Sequence, residues 1–151
     1  MLSSYAYAYE VGLNISQNEV FEASFKVTDN YKDNDGQILS TKGGLGLGVL
    51  GNSNFLGGYL SLAEKHPITS ELTWLTQADF GYINGYIEKD SKSYFIRLNQ
   101  GISFKNIFYD SIEDGLGVYL WVNIFEDREL AKNKSVNQTD ISPYYSVSIL
   151  F

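Results

Sequence analysis

The feature that most constrains this chain is a period-two alternation of apolar and polar residues, which recurs in about eight runs from Tyr5 to Phe151. Successive side chains of an extended strand point to opposite sides, so each run predicts a strand with one apolar and one polar face. Most runs have about 10–13 residues, whereas ordinary strands average roughly 5–6. Turn residues such as Gly51-Asn52-Ser53-Asn54 separate the runs. The pattern predicts an all-β fold of antiparallel strands.

The apolar faces of the runs follow directly from the alternation. In chain order they are Tyr5, Tyr7, Tyr9, Val11, Leu13 and Ile15; Phe21, Ala23, Phe25 and Val27; Leu45, Leu47 and Val49; Leu56, Leu60 and Leu62; Leu72, Trp74, Ala78, Phe80 and Tyr82; Tyr94, Ile96, Leu98, Ile102 and Phe104; Leu116, Val118, Leu120, Val122 and Ile124; and Tyr145, Val147, Ile149 and Phe151.

The segments between the runs carry turn and loop chemistry. Gln17-Asn18 predicts a tight turn, and the polar segment 29–38 predicts a loop. The fourth run breaks near His66-Pro67, and the fifth turns at Lys89-Asp90-Ser91-Lys92. Segment 126–134 predicts one helical turn within a loop.

Composition excludes several kinds of site. The chain has 151 residues, no cysteine, one histidine and a net charge of −7. Without cysteine there is no disulfide framework, no thiolate metal site and no cysteine nucleophile. The negative charge argues against nucleic acid as a partner, because phosphate binding requires a positive surface. The length fits a single domain, residues 1–151.

Targeting signals are sparse. No run of about 18 apolar residues predicts a transmembrane helix. Met1-Leu2-Ser3-Ser4 lacks the charged and apolar regions of a signal peptide, while Ala6-Tyr7-Ala8 has the small-x-small pattern of a cleavage site. The same alternation of alanine and tyrosine is also ordinary strand composition.

The alternation gives two unlike faces without deciding which is inside. A soluble sandwich or cup turns the apolar face inward, and a membrane barrel turns it toward lipid. Run length favours the membrane, because about 9–11 tilted residues cross the hydrocarbon layer. A barrel of about eight strands has a lumen just wide enough for side chains, which suits small residues and paired charges. The predicted lumen-facing charges are Glu10, Glu22, Glu71 and Asp79, opposite Lys26, Arg97 and Lys105.

The C-terminal run adds a separate signal. Tyr145, Val147, Ile149 and Phe151 place apolar residues at alternate positions before a terminal phenylalanine. Here the chain resembles the bacterial outer-membrane β-barrel proteins, whose final strand commonly ends in this way. The resemblance implies insertion by the barrel-insertion machinery and a location in the outer membrane of a Gram-negative cell envelope. Aromatic residues near other run ends, such as Phe104, are typical of interfacial girdles.

The resemblance also assigns the loops to two sides. If Phe151 is periplasmic, segments 88–92 and 126–140 and the 16–19 turn face outward. The 29–38 loop is then periplasmic, where turns of such barrels are normally short. Three explanations are open: an atypical turn, a strand count that differs by one, or a chain that forms part of a larger barrel.

Catalytic chemistry has little support. His66 precedes a proline in what reads as a turn, and no hydrolase motif surrounds Thr69 or Ser70. Glu71 and Asp79 lie eight residues apart on one predicted strand face, some 26 Å at about 3.3 Å per residue, too far to cooperate. Segment 29–36 lacks the acidic spacing of a calcium loop. We therefore predict no enzyme, and no catalytic, cofactor-binding or metal residues.

Together these observations predict an antiparallel up-and-down transmembrane β-barrel of about eight strands. Its expected role is structural or interactive, through outward loops, chiefly 126–140. One alternative is a porin-like narrow pore or the terminal part of a larger export channel. Another is a soluble barrel or sandwich that binds a small apolar ligand, although the first run lacks the Gly-x-Trp motif of lipocalins. Expected partners are outer-membrane lipid and the insertion machinery; self-association or a larger barrel assembly stays open.

Overall fold

The computed structural model describes residues 6–17, 19–30, 42–109 and 111–151. Their elements are β1 (Ala6–Ser16), β2 (Val20–Asn30), β3 (Lys42–Gly51), β4 (Leu56–Pro67), β5 (Leu72–Asn84), β6 (Lys92–Lys105), β7 (Ile112–Phe125), α1 (Arg128–Asn133) and β8 (Thr139–Leu150). Within this part of the chain, no helix is long and apolar enough to cross a membrane.

The eight strands form a closed antiparallel barrel in which each strand pairs with the next and β8 pairs with β1. This confirms the prediction of an all-β, up-and-down barrel of eight strands. Because β8 meets the first strand of the same chain, closure requires no neighbouring molecule. Since the barrel has the expected eight strands, a miscounted strand does not explain why the predicted periplasmic loop 29–38 is long. β2 continues through Asn30, and the remainder of that predicted loop lies outside the described residues.

The barrel is joined by what we call the closing seam, the pairing of residues 9–16 with 144–151. Its register runs from Glu10 opposite Leu150 to Ser16 opposite Tyr144. One step further, the Tyr9 amide donates to the Phe151 carbonyl at 2.8 Å, and the Phe151 amide donates back at 2.9 Å. The last residue of the sequence is thus part of the backbone ladder.

Up-and-down connectivity puts the connections at two ends. The connections from β4 to β5 and from β6 to β7 lie at the Phe151 end, and those from β1 to β2, β3 to β4, β5 to β6 and β7 to β8 lie at the α1 end. Helix α1 begins where the Asp127 side chain accepts a hydrogen bond from the Leu130 amide, so the predicted helical turn in 126–134 is confirmed. The predicted break near His66-Pro67 is slightly early, because β4 includes both residues and the turn follows them.

Alternation along the strands separates a buried polar face from an exposed apolar one. In β6, Ser93, Arg97 and Asn99 are buried inside the barrel, whereas Tyr94 and Ile96 are exposed. The same inversion holds around the barrel, with charged residues inside and large apolar residues outside. The interior is therefore a polar and aromatic core, unlike the apolar core of an ordinary soluble sandwich.

Candidate functional site

The centre of the lumen is occupied by one guanidinium. Arg97 is 0% exposed, and its Nη1 and Nη2 donate to the two carboxylate oxygens of Glu22, each at 2.7 Å. Its Nε donates to Asp79 Oδ2 at 2.7 Å, and Gln77 donates to the other Asp79 oxygen at 2.7 Å. We call these four residues the Arg97 cluster. The bidentate geometry is the one that guanidinium and carboxylate favour, and it fixes both partners in the lumen.

An aromatic shell surrounds the same guanidinium. Its Cζ atom lies 3.9 Å from the ring centroid of Tyr119, 4.6 Å from that of Trp121 and 4.9 Å from that of Tyr59. Tyr144 stacks on Tyr119 with ring centroids 4.2 Å apart. Cations over aromatic faces are stabilised most where water is excluded. The shell therefore adds a favourable contact to a cation that lies far from solvent.

Glycines on neighbouring strands make room for these rings. A Cβ atom added to Gly48 would overlap the Tyr59 ring, and one added to Gly117 would overlap the Tyr144 ring. Both glycines lie on the lumen side of β3 and β7, where the alternation of small and large residues lets side chains from facing strands interdigitate. On β3, Gly48 is one of three alternating lumen-side glycines, with Gly44 and Gly46, and its lack of a side chain is required for packing.

A second group of charges fills the lumen toward the Phe151 end. The Lys65 Nζ atom lies 2.6 Å from Glu10 and 3.1 Å from Glu113. Lys26 lies 3.6 Å from the other oxygen of Glu10, which also accepts a hydrogen bond from Ser148 at 3.1 Å. We call these five residues the Lys65 cluster. Buried charges require such pairing, because an isolated ion in this environment is strongly unfavourable.

Little space is left around these clusters. A cavity of about 20 Å³ remains beside the Lys65 cluster, room for one or two water molecules by volume. Among the described residues, no group of three or more histidine, aspartate or glutamate side chains is placed to hold a metal ion. His66, the residue considered for hydrolysis, is exposed and lies 3.7 Å from Glu64. The paired charges can lock the barrel, and the cavity beside the Lys65 cluster is too small for a substrate.

The predicted lumen charges divide into two groups. Glu10, Glu22, Lys26, Asp79 and Arg97 are all buried inside the barrel. The assignment of Glu71 and Lys105 to the lumen is wrong, since both are exposed at the Phe151 end. Their alternation parity matches the lumen face, but Glu71 precedes β5 and Lys105 is the last residue of β6. Both side chains are therefore open to solvent at the rim of the barrel.

Two buried partners were missed by the sequence reasoning, Lys65 and Glu113. The signal was available for Lys65, because it continues the lumen parity of Ser61 and Ala63 beyond Leu62, the last apolar residue of the fourth run. Glu113 has the same parity as Gly115 and Gly117, which lie two and four positions after it on the lumen face, and it precedes the recognised part of the seventh run. Both lie in strand ends that the apolar pattern alone does not reach.

The outer surface is covered by what we call the apolar belt, formed by exposed large apolar side chains from all eight strands. Leu45 and Leu60 are each 66% exposed. The belt comprises Tyr9, Val11, Leu13, Ile15, Phe21, Phe25, Leu45, Leu47, Val49, Leu56, Leu60, Leu62, Trp74, Phe80, Tyr94, Ile96, Leu98, Phe104, Leu116, Val118, Leu120, Ile124, Ile141, Tyr145 and Ile149.

Aromatic rings gather toward both edges of the apolar belt. At the Phe151 end, the Tyr9 ring lies 6.0 Å from Phe25 and 6.2 Å from Phe151. At the α1 end, the rings of Tyr82 and Tyr94 are 5.5 Å apart. Tyr5, also expected in this pattern, lies outside the described residues. The C-terminal pattern residues follow the outer face, with Phe151 67% exposed.

Comparisons with protein-family models and with curated proteins found no match for this chain.

Proposed function

We propose that this protein is an integral outer-membrane β-barrel with a structural or interaction role. The observation that carries the proposal is the inversion of polarity, with an apolar belt outside and paired charges inside. A soluble monomer rarely exposes an apolar patch above a few hundred Å². A belt that encircles the whole barrel far exceeds that, and a lipid bilayer is the environment in which such a surface is stable.

The dimensions of the belt support the same proposal. On β6 the outward residues from Tyr94 to Phe104 are apolar except for Gln100, whose side-chain oxygen accepts hydrogen bonds from Trp74 and Thr76. These ten steps span about 33 Å along the strand. With a strand tilt of 35–45° this corresponds to a height of about 25 Å, the height of the apolar band of outer-membrane barrels.

Charges on the outer face lie near strand ends. Among the described side chains that point outward from the strands, the aspartate, glutamate and lysine residues are Glu64, Lys92 and Asp114. Lys92 is the first residue of β6, at the α1 end. Glu64 lies three residues before the end of β4 and Asp114 two residues after the start of β7, both toward the Phe151 end. Asp114 accepts hydrogen bonds from Asn106 and Tyr145. This distribution suits a hydrocarbon layer bounded by two polar interfaces.

The filled lumen favours a structural role over the two alternatives. A porin-like pore requires a continuous aqueous path, whereas the Arg97 and Lys65 clusters occupy the axis with paired charges. A carrier of a small apolar ligand requires an apolar cavity, whereas the interior space beside the Lys65 cluster is about 20 Å³ and polar. Closure of β8 on β1 within one chain also removes the need for a larger export barrel.

The α1 end is the proposed outward face, following the assignment of Phe151 to the periplasm. Here the Lys134 side chain lies 3.0 Å from Glu88, so segments 126–138 and 85–91 are linked by a salt bridge. Both side chains are about half exposed. These connections form the surface through which we propose the protein meets external partners, while the insertion machinery would read the Tyr145–Phe151 strand.

The deciding experiment is detergent dependence. We expect the protein to require detergent for a monodisperse folded state and to migrate faster on a gel when unheated than when boiled. A folded monomer in plain aqueous buffer would refute membrane insertion. For protein reconstituted in planar bilayers we expect no stable conductance, and a reproducible single-channel current would instead favour the pore.

A further inference from the structure

A small pocket lies at the α1 end, separate from the Arg97 and Lys65 clusters. Its volume is about 50 Å³, room for about four water molecules at 10–15 Å³ each. Phe55, Tyr86 and Trp121 supply aromatic lining, and Ser16 and Ser142 supply hydroxyls. We call it the mouth pocket. Its lining comes from three connections, β1–β2, β3–β4 and β5–β6, and from strands β1, β2, β7 and β8, which meet because the barrel is closed.

The hydroxyls are the first indication that the mouth pocket receives a ligand. Ser16 is 7% exposed and Ser142 is 4% exposed, and neither Oγ atom has a hydrogen-bond partner within the described part of the chain. Buried hydroxyls without partners are uncommon, because losing water without replacement costs free energy. Both therefore offer acceptor positions to a donor that enters the pocket.

The lining also carries a negative charge. Among the described residues that line the mouth pocket, Asp140 is the only charged one. One of its oxygens accepts the Ile141 amide at 2.9 Å, which holds the side chain in place. Burial, and then the nearby Asp140 charge, raise the pKa of Tyr86 above its usual value, so this ring stays a neutral phenol beside the carboxylate.

The aromatic side chains complete a cation-binding environment. The Phe55 and Tyr86 rings are 5.3 Å apart, and both pack on the core that contains Trp121. Beneath them, Arg97 lies 4.6 Å from the Trp121 ring, but Glu22 and Asp79 already neutralise its charge. The uncompensated charge of the pocket lining is thus that of Asp140. Aromatic faces with one carboxylate attract a compact organic cation.

We propose that the mouth pocket binds a primary alkylammonium group. Three N–H donors of such a group match one carboxylate and two hydroxyl acceptors, and its short alkyl stem matches the aromatic lining. A quaternary ammonium has no N–H to offer Ser16 and Ser142, and an inorganic cation gains little from the rings. The preference is therefore for a small amine or for the end of a lysine side chain.

The test uses folded protein in a non-ionic detergent and an amine-free phosphate buffer, because amine buffers and zwitterionic detergents would compete. Trp74, which lies on the outer face of β5, is replaced by phenylalanine so that Trp121 is the fluorescence reporter. Ethylammonium chloride is titrated against sodium chloride at matched ionic strength, and the unfolding temperature is recorded in both salts. We expect a saturable fluorescence change and a higher unfolding temperature with ethylammonium.

Variants identify the site. Asp140→Asn keeps an oxygen for the Ile141 amide, and we expect it to weaken ethylammonium binding by about tenfold or more. Ser142→Ala should weaken it several-fold. Asp90→Asn, an exposed carboxyl at the same end, should leave it unchanged. Binding of N-acetyl-lysinamide as well would extend the site to lysine side chains, and binding of ethylammonium alone would restrict it to free amines; both support the proposal.

Two results would overturn it: superposable titrations of ethylammonium and sodium in both readouts, or an Asp140→Asn variant that binds ethylammonium as well as the parent. In the first case the mouth pocket holds water only. The test does not depend on membrane insertion, since a protein that proves soluble can be titrated in the same way without detergent.

Discussion

Replacing Arg97 with methionine isolates the energetic role of the central guanidinium. Methionine is unbranched and fills a comparable part of the aromatic shell. The substitution removes three charge-assisted hydrogen bonds of 2.7 Å to Glu22 and Asp79 and leaves both carboxylates buried. Removing one partner of a buried ion pair costs about 3–5 kcal/mol. With two carboxylates stranded, we expect a loss of about 4 kcal/mol in the free energy of unfolding.

The assay is urea unfolding of the folded barrel in detergent micelles, followed by tryptophan fluorescence. For an m-value of about 2 kcal/mol/M, the expected loss lowers the midpoint by about 2 M. Lys26→Met is the matched control. Lys26 is also a buried cation, but its partner Glu10 keeps Lys65 at 2.6 Å and Ser148 at 3.1 Å. We therefore expect the control to lose only about 1 kcal/mol.

We expect the stranded carboxylates to cause this loss of stability, and a third variant tests that cause. Combining Arg97→Met with Glu22→Gln and Asp79→Asn removes the charges together, so most of the lost stability should return. A loss below about 1 kcal/mol for Arg97→Met would refute the proposed importance of the cluster. A triple variant as unstable as the single one would show that packing in the aromatic shell, and not charge, is responsible.

Three further predictions concern the packing, the belt and the seam. Gly48→Ala should destabilise the barrel by about 1–3 kcal/mol because its Cβ would overlap a tyrosine ring in the lumen. Gly58→Ala is the control: a Cβ there would lie on the outer face, 3.6 Å from its nearest neighbour, and should change the stability in urea little. In lipid vesicles, Leu60→Arg, in the middle of the apolar belt, should lower the free energy of unfolding by about 2–4 kcal/mol. Ile141→Arg, near the α1 end, should lower it by about 0–1 kcal/mol. Equal losses would contradict an environment that changes with depth. Phe151→Ala should lower the yield of folded, heat-modifiable barrel during assembly in cells, and a normal yield would count against a terminal insertion signal.

The strand pattern made the fold readable from the sequence. Period two over long runs is a strong signal, and it placed Arg97, Asp79 and Glu22 on a common face because side-chain parity persists along a strand. Parity does not say where a barrel stops enclosing its side chains, which is why Glu71 and Lys105 were assigned to the lumen.

Contacts across the lumen were harder to foresee. Arg97 contacts Glu22 from a strand that is distant along the chain, since the two residues are 75 positions apart. Such pairs depend on barrel closure and on the register of every intervening strand. The mouth pocket was unpredictable for the same reason, since Ser16, Tyr86 and Asp140 share no local motif and approach one another only when β8 reaches β1.

The closing seam has a kinetic consequence. Its residues are the most distant in sequence, as in the contact between Ser148 and Glu10, 138 positions apart. Bringing such ends together costs about 4 kcal/mol of chain entropy if nothing else has formed. Hairpins between consecutive strands avoid that cost, so they should precede the seam during folding. Until the seam forms, β1 and β8 present two unpaired edges, and a second unfinished copy offers the same two edges in return. The rate at which the seam closes therefore competes with strand exchange between molecules, and protein concentration during refolding should decide the yield of monomer.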